Sequence, residues 1–226
     1  MIASPRPAGL AEDETLDDLR LRIAPLVAAN AAFDGWSDAA VALAADTAGV
    51  DRDVAALAFE GGAMTMIEAW FASVDAAMHV ACAPEALAVL KIRARITALV
   101  EARLAILAPH REALRRAQAT LAMPQHLAAA TRLGWQAADS MWRAAGDTAV
   151  DYNHYSKRAI LGSIYAATLL MLVQDESEDF ADTRAFLARR IDGVMRFEKA
   201  KARLAAGSDR HFSMARFIGR LRYRGQ

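Results

Sequence analysis

From Ala159 to Val173 the chain runs for 15 residues without a charged side chain. Ala, Leu and Met at this density favour a helix, because they lose little side-chain freedom in one. A helix that is apolar nearly all round must be enclosed by other helices or face a ligand or partner. Its length falls short of the roughly 20 residues that cross a bilayer, so it is expected in a protein core. Immediately upstream stand Asp147, Asp151, Tyr152, Asn153, His154, Tyr155, Lys157 and Arg158. One end of this element is thus buried and the other carries groups suited to recognition.

Hydrophobic residues make up 55% of the 226, yet only 7% are aromatic, so the apolar content is mainly Ala and Leu and predicts an all-α chain. Formal net charge is zero, and the single cysteine, Cys82, excludes an intrachain disulfide and fits a reducing compartment. Residues 1–13, with Pro5, Pro7 and Gly9, are expected to form a flexible leader. No apolar run flanked by basic residues marks this end as a signal peptide, which predicts a cytoplasmic protein.

Residues 14–82 are expected to form a first helical domain. Leu16, Leu19, Ile23, Leu26 and Val27 recur at helical spacing up to Phe33, with Pro25 predicting a kink or a break. Ser37 is a plausible N-cap for a short helix over 38–48 ended by Gly49, and Asp51 for another over 52–58. After Gly61-Gly62 a longer helix over 63–81 places Met64, Ile67, Trp70, Phe71, Val74 and Met78 along one face. This order of long, short, short and long helices resembles the N-terminal domain of TetR-type regulators, whose two short helices form a DNA-binding helix-turn-helix. Charge opposes that role. Between Asp34 and Met78 there are eight acidic residues and one basic residue, Arg52, so phosphates would be repelled. The fold resemblance stands without nucleic-acid binding; the rival reading is a ligand-responsive TetR-type transcription regulator.

Residues 83–206 are expected to form a second helical domain. Its first helix is predicted over 85–107, with Lys91, Arg93, Arg95 and Arg103 on outer positions. A further helix starts at Pro109-His110 and ends near Met123-Pro124. Gly134 and Gly146 are expected to close two short helices over 125–133 and 135–145. The acidic run from Asp175 to Asp179 is expected to be a solvated loop before a last long helix over 182–204. Gly207-Ser208 then form a joint to a basic amphipathic helix, with Met214, Phe217, Ile218 and Leu221 on its apolar side. Phe212 adds to that side, and Arg216 and Arg220 supply headgroup contacts in the predicted membrane-binding surface.

Catalytic signatures are scarce. The five histidines are widely spaced, no pair has metal-ligand spacing, and Gly61-Gly62 lacks the Lys and Ser/Thr of a phosphate loop. The constellation around Asp151, Asn153, His154, Tyr155 and Arg158 has three readings. As structure, Asp151 or Asn153 caps the helix and an acid pairs with Arg158. As binding, the aromatic residues and Arg158 anchor a partner. As catalysis, a carboxylate and an imidazole move a proton.

Trp142-Arg143-Ala144-Ala145-Gly146-Asp147, then Asp151 to Ala159, then Tyr165 and Asp182 to Leu187, resemble the ubiquinone-biosynthesis accessory family called coenzyme Q nine. The similarity runs from about Thr15 to Leu204 and includes Gly35-Trp36 and Ala58 to Gly62. The resemblance implies a TetR-like fold without DNA binding, a homodimer, and no catalytic activity, cofactor or metal. It implies an apolar pocket for isoprenoid quinone intermediates or phospholipid, with Trp142, Ile164, Leu169 and Met171 expected to line it. It further implies peripheral contact with the inner membrane and delivery of lipid to a ring-modifying hydroxylase of the pathway. The implied partner surface falls on Asp151, Asn153, His154, Tyr155 and Arg158, with His154 where the eukaryotic form has tryptophan.

Overall fold

The computed structural model describes residues 14–148 and 152–208, with side chains for 14–148 and 154–194. Among the described residues there are ten α-helices and no strand, so the chain is all-α. Helix α1 (Leu16–Asp34) opens with a capping box in which Thr15 and Asp18 each accept the other's backbone N–H. Pro25 neither divides nor ends it. Leu19, Ile23, Val27 and Ala28 around the proline are fully buried, and that packing offsets one missing backbone bond. Helices α2 (Asp38–Ala48) and α3 (Arg52–Ala58) follow, capped by Ser37 and Asp51 as expected. Gly49 ends α2 with φ +67°, a left-handed conformation that glycine adopts without strain. Helix α4 (Ala63–Ala81) buries Met66, Ile67, Trp70, Val74 and Met78; Met66 takes the inward place expected of Met64.

Three predicted boundaries are corrected. The helix expected over 85–107 is two elements, α5 (Pro84–Ala88) and α6 (Ile92–Leu107). The break is held by Arg95, whose guanidinium donates to the carbonyls of Ala88, Leu90 and Ala145, each at 2.9 Å. After α7 (Arg111–Leu121), the two short helices expected over 125–145 are one, α8 (Leu127–Ala144), which runs through Gly134. Helix α9 (Tyr152–Gln174) extends the uncharged segment, and α10 (Ala181–Ser208) continues through Gly207, where a joint was expected. Phe212, Met214, Arg216, Phe217, Ile218, Arg220 and Leu221 lie outside the described residues.

Gly134 has a different task from capping. It faces Gly162 where α8 and α9 meet: a Cβ at 162 would stand 3.3 Å from the Gly134 carbonyl oxygen. The segment His154–Gln174 is long and apolar enough to cross a bilayer by length and composition. Leu161, Ile164, Tyr165, Thr168, Leu169 and Leu172 are buried against protein along one side of α9, while Ala159, Ser163, Ala166 and Leu170 form an exposed face.

The helices on either side of residue 82 share one contiguous core. Trp36 helps to join them: its ring lies 5.3 Å from Trp70, and its indole N–H donates to the Ala113 carbonyl. Arg103, expected on the surface, is 1% exposed and ties α6 to α4 through Asp75 and to α9 through the Tyr165 hydroxyl at 3.0 Å. Asp175, expected in a solvated loop, is buried and accepts from the N–H and hydroxyl of both Ser177 and Thr183. Burial opposes its ionisation, but these four bonds prevail and hold its carboxyl well below the usual range.

The Gly134–Gly162 contact sets a limit on side-chain size. Gly162→Val should destabilise the chain by roughly 1–3 kcal/mol through overpacking against backbone that cannot yield. Gly193→Ala in α10, where a Cβ meets nothing within 4 Å, should instead gain up to about 1 kcal/mol from helix propensity. Urea unfolding of the two variants measures the difference.

Candidate functional site

The turn between α8 and α9 is held by a buried ionic cluster. Arg158 is 2% exposed. Its Nε donates to Asp139 at 2.5 Å, and its Nη1 donates to Asp147 and to the His154 carbonyl, each at 3.2 Å. Lys157 adds a bond to Asp147 at 2.7 Å, and Arg143 pairs with Asp139 at 2.8 Å. Burial works against ionisation of both carboxylates, but hydrogen bonds and charge from Arg158, Lys157 and Arg143 hold them below their ordinary value. Arg158 was expected on a partner-binding surface; it lies beneath that surface and fixes the first turn of α9. The acids that pair with it are Asp139 and Asp147. Asp151 lies outside the described residues, as does the side chain of Asn153.

Above this cluster sits an aromatic patch. The Tyr155 ring is 61% exposed and lies 6.0 Å from Trp135, while His154 lies 5.1 Å from Tyr155 and 6.4 Å from Trp135. The nearness of Trp135 to His154 and Tyr155 is set by the packing of α8 on α9, so sequence reasoning missed it even though the helix expected over 135–145 already joined Trp135 to Asp139 and Trp142. On one continuous helix these three fall at helical spacing, four and then three residues apart.

Behind the patch lies an apolar cavity of about 300 Å³ between α6, α8, α9 and α10. Ile96, Trp142, Ile160, Leu161, Ile164 and Ile191 form its walls, with Arg93 and Lys157 also in the lining. The Trp142 indole N–H donates to the Lys157 carbonyl at 3.1 Å, and the Lys157 ammonium lies 5.3 Å from the centre of the ring. Arg93 is paired with Asp192 across α6 and α10. Trp142 and Ile164, two of the four residues expected to share a pocket, are brought together in this cavity. Leu169 lies about 140° farther round α9, at the 3.6-residue helical period, and lines a separate groove. Met171 is half-buried and lines neither.

One polar chain has a catalytic look that its geometry does not support. Ser140 donates its hydroxyl proton to Asp75 at 2.7 Å, while His79 Nε2 is 2.8 Å from the same oxygen. With its hydroxyl proton directed at the carboxylate, Ser140 is left to accept from the imidazole N–H, so His79 is not placed to draw a proton from it. Asp75 is in turn paired with Arg103. Among the described residues no group of three His, Cys, Asp or Glu side chains is arranged to hold a metal ion.

The COQ9 family matches residues 127–198, which contain the ionic cluster, the aromatic patch and most of the cavity wall. The rat "Ubiquinone biosynthesis protein COQ9, mitochondrial" is 43% identical over 96 residues, which is 42% of this chain and 31% of the rat protein. The human protein of the same name is 41% identical over 42% of this chain and 30% of its own length. The Drosophila protein is 32% identical over 44% of this chain and 30% of its own length. The match thus spans about a third of the length of these curated relatives.

Removing Arg158 leaves two carboxylates facing each other across the turn. Arg158→Met should destabilise the fold by about 3 kcal/mol, the cost of breaking a buried pair on one side. The acid limb should change as well. Because Asp139 and Asp147 titrate below the ordinary value of 3.8 when folded, their contribution is complete above that pH and is lost as pH falls through their folded values. Wild-type stability should therefore drop steeply below about pH 4. The variant, lacking Arg158's share of that contribution, should fall less over the same range in urea unfolding.

Proposed function

We propose that this COQ9-like chain takes part in ubiquinone biosynthesis as a non-catalytic protein that binds isoprenoid lipid and presents it to a modifying enzyme. The apolar cavity beneath Trp142 carries the reading, since it lies in the matched region and has the chemistry of a prenyl site. Branched and aromatic walls suit a methyl-branched chain, and each buried CH₂ contributes about 0.8 kcal/mol. At roughly 30 Å³ per methylene-sized group, 300 Å³ holds about ten carbons, or two isoprene units. A longer tail must continue out of the cavity, so the site grips one section of the chain.

The exposed Tyr155, flanked by His154 and Trp135, is the proposed contact for the partner enzyme. Large aromatic side chains exclude water over a small area and are enriched among interface anchors. The ionic cluster beneath fixes their backbone before binding, which lowers the ordering cost. Residues 207–226, with Phe212, Met214, Arg216, Phe217, Ile218, Arg220 and Leu221, are the proposed membrane contact, on the basis of their sequence pattern. The order of α1 to α4 fits a TetR-like arrangement. Arg52, the only basic residue between Asp34 and Met78, is bound by Asp46 at 2.5 Å, which leaves α2 and α3 with an acidic face unsuited to phosphate.

Organic extraction of the purified protein, followed by mass spectrometry, tests the ligand. Isoprenoid quinones or their precursors should co-purify with the wild type and be lost from Ile160→Trp, which fills the cavity while leaving Tyr155 in place. An extract free of isoprenoids, together with a melting temperature unmoved by added short-chain quinone analogues, would sink the proposal.

A further inference from the structure

A polar cleft and an apolar groove adjoin elsewhere in the bundle, and neither shares a lining residue with the cavity beneath Trp142. The cleft, about 340 Å³ between α4, α6 and α8, is lined by Glu68, Asp75, Arg103, Arg132 and Gln136. The groove, about 260 Å³ against α7, α8 and α9, is lined by Leu121, Tyr165, Ala166, Leu169 and Leu170. Phe71, Leu133 and Ala137 line both, so the two hollows adjoin across these side chains. A hollow that is polar at one end and apolar at the other has the profile of an amphiphile site.

The polar end is built and its charges are balanced. Arg103 is 1% exposed and held by Asp75 and Tyr165, while Arg132 pairs with Glu68 at the surface. Two guanidiniums thus face two carboxylates. An ionic head would leave one charge uncompensated in a partly desolvated cleft, whereas hydroxyl groups can donate to the acids and accept from Arg103, Arg132 and Gln136. Tyr165 links the ends, because its ring lines the groove and its hydroxyl is bound by Arg103. At roughly 30 Å³ per methylene-sized group, the groove takes a chain of about eight carbons.

We propose that this hollow is a second ligand site, selective for a neutral amphiphile with a hydroxyl-bearing head and a medium-length acyl chain, of the monoacylglycerol class. The head sits among Glu68, Asp75, Arg103 and Arg132, and the chain lies along Leu169 and Leu170.

Calorimetric titration of the full chain with 1-octanoylglycerol, octanoate and octyl phosphate tests both ends, since the three probes carry eight-carbon chains and differ in the head. 1-Octanoylglycerol should bind saturably below its aggregation concentration, with the two anions about tenfold weaker, as expected for one uncompensated charge. Glu68→Gln, a change at a half-exposed rim residue, should reverse that order by leaving a net positive cleft. Ala166→Trp should obstruct the groove and abolish binding, while Ile160→Trp should leave it intact. Equal affinity for octyl phosphate in the wild type overturns the neutral-head assignment. Absence of saturable heat, or loss of binding in Ile160→Trp, overturns the second site without bearing on which lipids co-purify.

Discussion

The close contact of α8 with α9 at Gly134 and Gly162 is the constraint on which the rest of the site depends. Two helices can approach this closely only where no side chain stands between them, and here a Cβ on Gly162 would already stand 3.3 Å from the Gly134 carbonyl oxygen. From that contact outward, Trp135, Asp139 and Trp142 follow one another along α8 and meet His154, Tyr155, Lys157 and Arg158 at the start of α9. Patch, ionic cluster and cavity wall are therefore three consecutive levels of one helix pair.

Buried charge serves position more than stability. Arg103 and Arg158 are both almost wholly withdrawn from water, and each contacts more than one other element or turn. An apolar side chain of similar volume would often stabilise such a core as well, so a guanidinium in this place contributes direction. Arg103 admits one register of α4, α6 and α9, because Asp75 and Tyr165 must both be within reach. Arg158 does the same for the α8–α9 turn. The aromatic patch and the polar cleft each rest on one of these arginines.

Much of the fold could be read from local chemistry. The caps at Ser37, Asp51 and Gly49, the apolar face of α4 and the helical state of the segment from 159 to 173 follow from residue type and spacing, which act over one or two turns. Elements set by distant partners could not be read in this way. Arg95 ends a helix by reaching Ala145, fifty residues on, and Gly134 looks like a stop signal until Gly162 is placed beside it. Arg103, Arg158 and Asp175 look like surface residues in any local window, since the groups that neutralise or bind them come from elsewhere in the fold. Within the site, Trp142 and Ile164, both large and apolar, line one cavity from α8 and α9. Leu169 was assigned to the same pocket only by ignoring its angle about the helix, and Trp135 was missed because its neighbours His154 and Tyr155 come from another helix.

The turn of α9 from 154 to 158 faces two ways, and its rigidity bears on what the arrangement can do. Lys157 gives its carbonyl to Trp142 in the cavity wall and its ammonium to Asp147, while Tyr155 points outward two residues earlier. Ligand and partner would approach this same turn from opposite sides. Signalling between them would require an element with two arrangements that each side biases differently. The turn is instead tied by Arg158 to Asp139, Asp147 and its own helix backbone, a set of bonds that one arrangement satisfies. A turn fixed in this way would hold a lipid in the cavity at a constant distance and angle from a partner docked on Tyr155. That geometry suits presentation of a substrate better than a ligand-driven switch.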